Sequence, residues 1–241
     1  MESTSANRKD YITVLNVLSC FSVVMLHCNG IIWTRPEGRL WISANFIETF
    51  FYFAVPIFFM ISGVTLLDYP TRYSTKEYFH KRFEKTVLPF FAWSIIGLLY
   101  RLRQTVLSGG VFDFNPLHVL SRIFNTEYIS IYWFFIPLFS VYLTIPVLAH
   151  VQDKLKVFRY ASVVGLLFLS ILPLVFSLLS ISYNNGLIPS VVNGYILFSL
   201  LGYFLANTAL ARKQELTIYF LGILGWLLMF GGTLWLSAPG E

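Results

Sequence analysis

From Tyr160 to Ala211 the chain runs for 52 residues without a single Asp, Glu, Lys or Arg. Water cannot be the solvent of such a run, because its apolar side chains exceed what a soluble core of this size can hide. A bilayer core is about 30 Å thick and takes about 20 helical residues. The run is therefore two crossings, and Tyr183-Asn184-Asn185-Gly186 is a turn signal that predicts a tight hairpin between them. The same criterion places spans over 11–33, 46–67, 86–103, 128–149, 160–182, 187–209 and 216–237. The third is short in charge-free residues, and snorkelling of Arg101 and Arg103 extends it. Composition agrees: 56% of residues are apolar and 12% charged, against about 25% charged in soluble domains. The expected fold is an all-α polytopic integral membrane protein of about seven helices, forming one transmembrane domain over 1–241.

Twelve of the 17 Lys and Arg residues lie on the side of the N-terminus and five on the other: Arg35, Arg39, Arg101, Arg103 and Arg122. The positive-inside rule then makes the N-terminus cytoplasmic, and seven spans leave the C-terminus outside. The net charge of +5 is explained by this bias and by anionic lipid headgroups, not by nucleic acid, since no basic groove with interleaved aromatics lies outside the spans. Cys20 and Cys28 are about 12 Å apart along one helix, beyond disulfide reach. The first apolar run lacks a small-residue cleavage signature and is expected to be a retained helix.

Few polar groups remain that could carry chemistry. His27 is ionisable within a span, a position that suggests function, with a neutral interhelical histidine as the structural alternative. Asn16, Cys20 and Val23 share its helical face, which predicts a partly polar stripe facing protein. Glu48, at the outer end of the second span, is a candidate partner that would orient and charge the imidazole. In Val55-Pro56-Ile57-Phe58-Phe59-Met60-Ile61-Ser62-Gly63, the proline and the Ser62-Gly63 pair suit a packing joint. Lys81, Arg82 and Lys85 gather before the third span, where topology alone explains them and a clamp for an anionic cytosolic cofactor is the functional alternative. Glu127 precedes Tyr132 and Trp133 at the entrance of the fourth span, where aromatics are either belt residues or a platform for a sugar ring. No spacing of His, Cys, Asp or Glu suits a metal.

Taken together, Leu15 to Leu18, Val23 to His27, Val55 to Gly63, Lys81-Arg82 through Pro89, and Tyr132-Trp133-Phe134 through Tyr142, Leu143 and Pro146 resemble, in order and spacing, membrane acyltransferase family 3. The resemblance spans about residues 8–150 and is nearest to the bacterial branch that O-acetylates surface polysaccharides. It implies an enzyme of the bacterial plasma membrane that moves an acetyl group from cytosolic acetyl-CoA to a glycan hydroxyl, without a metal. His27 maps to the family's essential histidine and is implied as general base or acyl relay, oriented by Glu48 or Glu127. Arg82, with Lys81 and Lys85, is implied to hold the CoA phosphates. Asn16, Ser62, Tyr132 and Trp133 are the candidate acceptor contacts, and Asn16 stands where the family usually has arginine. Implied partners are the glycan acceptor and membrane lipids, with an oligomer possible. The family has about ten spans with both termini cytoplasmic. Seven spans thus suggest either a C-terminal truncation or a short form completed by oligomerisation. The competing functional class is a multi-span glycan or lipid transporter without acyl transfer, although no symmetric pair of broken helices supports one.

Overall fold

The computed structural model describes residues 2–192 and 194–237, with side chains from residue 10 onward. Among them there is helix and no strand, as lipid demands, because only a helix satisfies its own backbone polar groups within one segment. Six segments are long and apolar enough to cross a membrane: Asp10–Thr34, Gly38–Thr71, Thr75–Leu107, Ser130–Ala149, Lys154–Leu178 and Arg212–Leu236. The seventh apolar segment is only the 11-residue helix Ile196–Ala206, about 16 Å long. It is shorter than the span expected over 187–209 because Pro189 and the left-handed Gly194, at φ +74°, fall within that stretch. The chain divides into two compact units.

The first unit comprises residues 1–62 and 198–241. Its helices are α1 (Glu2–Cys28), α2 (Gly38–Phe51) and the start of α3 (Ala54–Leu66). From the C-terminal part come most of α10 (Ile196–Ala206) and all of α11 (Arg212–Leu236). The break between α2 and α3 at Tyr52-Phe53 has a local cause. Pro56 donates no hydrogen bond to the Tyr52 carbonyl and its ring crowds that carbonyl, so the first turn of α3 is reset there. Helix α2 packs on both α1 and α11. Apolar burial does not drive helices together in lipid. What joins α2 to α11 is aromatic packing and one polar contact. Phe46 meets the edges of Trp226 and Phe230 at 5.7 and 6.0 Å, and the fully buried Asn45 donates from Nδ2 to the Phe230 carbonyl at 3.1 Å. Helix α10 meets α3 through a glycine. A Cβ on Gly202 would collide with the Met60 backbone, and beside it Ser199 Oγ donates to the Phe59 carbonyl at 2.9 Å.

The second unit, residues 63–197, holds α4 (Thr75–Arg82), α5 (Leu88–Leu107), α6 (Pro116–Phe124), α7 (Phe135–Ala149), α8 (Lys154–Leu166) and α9 (Leu172–Leu178). A π-helical turn at Phe83–Val87 joins α4 to α5, and another at Leu167–Ile171 joins α8 to α9. Each lies just before a proline, Pro89 or Pro173. The wider turn accommodates the missing N–H and the ring without ending the helix. Tyr183 helps by donating its hydroxyl to the Phe168 carbonyl at 2.9 Å. The hairpin expected at 183–186 is instead a longer connection. Helix α9 stops at Leu178, and short 3₁₀ turns at Asn185–Leu187 and Ser190–Val192 precede α10. The turn chemistry at its centre is as read, with Asn184 Oδ1 accepting from the Gly186 N–H at 2.9 Å.

Candidate functional site

In the first unit, α1 turns Ser19, Ser22 and Asn29 inward, all buried, while His27 and Cys20 are exposed and Asn16 and Val23 half-buried. This corrects the expected stripe. At 100° per residue, Ser22 and Asn29 lie within about 20° of each other and about 140–160° from His27. The protein-facing side of α1 is therefore the serine-asparagine side, and the histidine lies on the uncovered one. Glu48 is half-buried and accepts from Asn29 Nδ2 at 3.2 Å, while the same amide donates to the Ala44 carbonyl at 2.8 Å. The carboxylate expected to orient His27 thus locks the α1 terminus onto α2. Among the described residues His27 has no hydrogen-bonding partner, so its ring is open to an incoming group. Ser62 donates back to its own helix, to the Phe58 carbonyl at 3.0 Å.

The basic residues of the second unit are differentiated by their neighbours. Ser74 caps α4, accepting from the Glu77 N–H at 3.3 Å. Glu77 then pairs with Lys81 at 2.7 Å, and the Lys81 ammonium sits 4.0 Å from the centre of the Tyr73 ring. Lys85 is exposed. Arg82 is half-buried, its guanidinium lies 5.5 Å from the centre of the Tyr142 ring, and its Nε is buried without a hydrogen-bond partner. Among the described residues it has no carboxylate partner. Tyr78, one turn before Arg82 and fully buried, donates its hydroxyl to the Tyr142 backbone carbonyl at 2.9 Å and so ties α4 to α7. Tyr78 and Tyr142 are the residues that sequence reasoning missed; the signal for the first was its position four residues before Arg82 on the same face. A π turn begins directly after Arg82, a deviation often found at functional positions.

Glu127 pairs with Arg122 at 3.6 Å. Tyr132 packs its ring against Phe90 and Phe135, at 6.0 and 5.1 Å, as part of the α5–α7 contact. Trp133 is exposed, with Tyr195 6.2 Å away. Among the described residues no three His, Cys, Asp or Glu side chains are grouped as metal ligands.

The family model of the acyltransferase domain, family 3, matches residues 9–241, nearly the whole chain. The chain belongs to acyltransferase family 3. Comparison with curated proteins and with solved structures finds no match. With its six membrane-crossing helices, the chain is a multi-pass membrane acyltransferase. Acyl transfer to an oxygen needs a group that accepts the attacking hydroxyl's proton and a place for the donor. Of the residues expected to carry chemistry, His27 and Arg82 have no hydrogen-bond or ion-pair partner among the described residues, whereas Glu48, Glu127, Lys81 and Ser62 have partners within their own units.

Proposed function

We propose that this acyltransferase moves an acetyl group from cytosolic acetyl-CoA to a hydroxyl of a cell-surface glycan in the bacterial plasma membrane. The observation that carries the donor assignment is Arg82, a guanidinium stacked on Tyr142 with a buried Nε–H lacking an acceptor. Leaving such a donor unsatisfied costs about 1–3 kcal/mol, so a phosphate oxygen would relieve it, and a guanidinium suits phosphate better than an ammonium does. Arg82 would hold the CoA phosphates with exposed Lys85 adding charge, and the bound donor supplies the activated acyl carbon. His27 takes the proton from the acceptor hydroxyl as that oxygen attacks the thioester carbonyl; the carbon–sulfur bond breaks, and the proton passes to the departing thiolate, which leaves as free CoA. Its uncovered ring supports that task, because the acceptor needs access to a nitrogen. Exposed Trp133 offers a stacking face for a sugar.

Arg82→Ala should raise the KM for acetyl-CoA by tenfold or more at little changed kcat, with Arg82→Lys intermediate. Initial rates of radiolabelled acetyl transfer in inverted membrane vesicles measure both. An unchanged KM in Arg82→Ala would mean that the basic loop sets topology alone.

A further inference from the structure

The chain leaves one membrane-crossing segment at Leu107 and enters the next at Ser130, so the 22 residues between them lie at one membrane surface. Helix α6 forms there for local reasons. Asn115 caps it, accepting from the Leu117 N–H at 3.0 Å, and Pro116 occupies its first turn. Around this nine-residue helix the side chains fall into three sectors. Ile123 is buried and Val119 half-buried, and these face the rest of the unit. His118 and Arg122 form a second sector, each held by a carboxylate, Asp113 at 2.6 Å and Glu127 at 3.6 Å. Leu117, Leu120 and Phe124 fall within about 60° of arc and are 74%, 45% and 47% exposed. The Phe124 ring meets Phe91 of α5 at 5.7 Å, and Leu117 and Leu120 beside it stay exposed.

We infer that α6 is an interfacial helix whose Leu117-Leu120-Phe124 face is inserted into the acyl-chain region of the bilayer leaflet, on the side of the membrane opposite the N-terminus. Three observations favour lipid over a second protein surface. The sector lies against a membrane-crossing helix, with Phe124 on Phe91 of α5, where Trp93, Ile95 and Ile96 are exposed as well. The cations Arg101 and Arg103, exposed in the last turns of α5, and Arg122 on α6 fall in the same stretch between two crossings, and suit anionic headgroups on that side. Finally, three side chains on a nine-residue helix fall well short of the roughly 800 Å² per partner that a stable protein interface buries.

Nitroxide labels on single cysteines test the inference in the full chain. With Cys20→Ser and Cys28→Ser as background, labels at Leu117→Cys, Leu120→Cys, His118→Cys and Arg122→Cys are compared in phosphatidylcholine–phosphatidylglycerol vesicles. The expected result is preferential collision with oxygen at 117 and 120 and with a water-soluble nickel chelate at 118 and 122. The His118 label spares the Arg122–Glu127 pair and the Arg122 label spares the Asp113–His118 pair, so the two polar-face sites check each other. Nickel access at all four positions would place α6 in water and overturn the inference. Shielding of 117 and 120 from both reagents would show that protein covers the face, and would overturn it equally.

Discussion

At the scale of single residues, the polar groups of this membrane enzyme separate into those that hold helices and those left with spare capacity. Asn29 is of the first kind, giving both amide hydrogens to α2. Asn29→Ala should lower thermal stability by about 1–3 kcal/mol, the cost of leaving buried acceptors unpaired, and this would appear as a lower melting temperature in detergent. Asp113 carries a pH effect. The Asn115 backbone N–H, then His118, stabilise its carboxylate and hold it below its ordinary value of 3.8. A depressed carboxylate contributes stability above its unfolded pKa and loses it as pH falls through the folded one. The melting-temperature gap between wild type and Asp113→Asn should therefore persist at neutral and mildly acid pH and close only below about 3.8. Position along the chain made His27 and Arg82 legible as candidates. Their surroundings were not legible: whether Glu48 meets His27 or Asn29 depends on the rotation of α1 about its axis, and its buried side carries Ser19 and Ser22, which have no sequence signature. Likewise, nothing in linear order brings Tyr142 under Arg82, 60 residues away.

At the scale of elements, charge-free runs reveal helices in lipid because every charge within the hydrocarbon is costly. Six crossing segments were readable on that ground. The short α10 and the amphipathic α6 were not, since the first is interrupted by backbone geometry and the second lies outside any long apolar run. Close helix approach was expected at Ser62-Gly63, and Gly202, whose neighbours in sequence look like any apolar span, is where α10 meets the Met60 backbone. Gly202→Leu should force α3 and α10 apart, at the 1–3 kcal/mol or more typical of overpacking. Reduced folded yield and melting temperature in detergent would register it. Leucine tolerated there without loss would refute the contact. Asn45→Leu should loosen α11 more mildly, by about 0.6–2 kcal/mol, the range for interhelical hydrogen bonds in membranes.

At the scale of the whole molecule, the 12-to-5 split of Lys and Arg predicts the orientation and, with it, the face that would meet a cytosolic donor. Lys76→Cys, in the first turn of α4, should be protected from a membrane-impermeant thiol reagent in intact cells, and Ser108→Cys, after α5, should react. The reverse pattern would put Arg82 on the wrong side for a cytosolic donor. The central claim is that His27 takes the acceptor's proton in acetyl transfer to a surface glycan. Its most direct test is acetyl incorporation into that glycan from labelled acetyl-CoA, in membranes holding equal amounts of wild type and His27→Ala. Incorporation by the wild type and its loss, by a factor of at least about 10², in the variant is the predicted result. Undiminished transfer by His27→Ala would contradict the account.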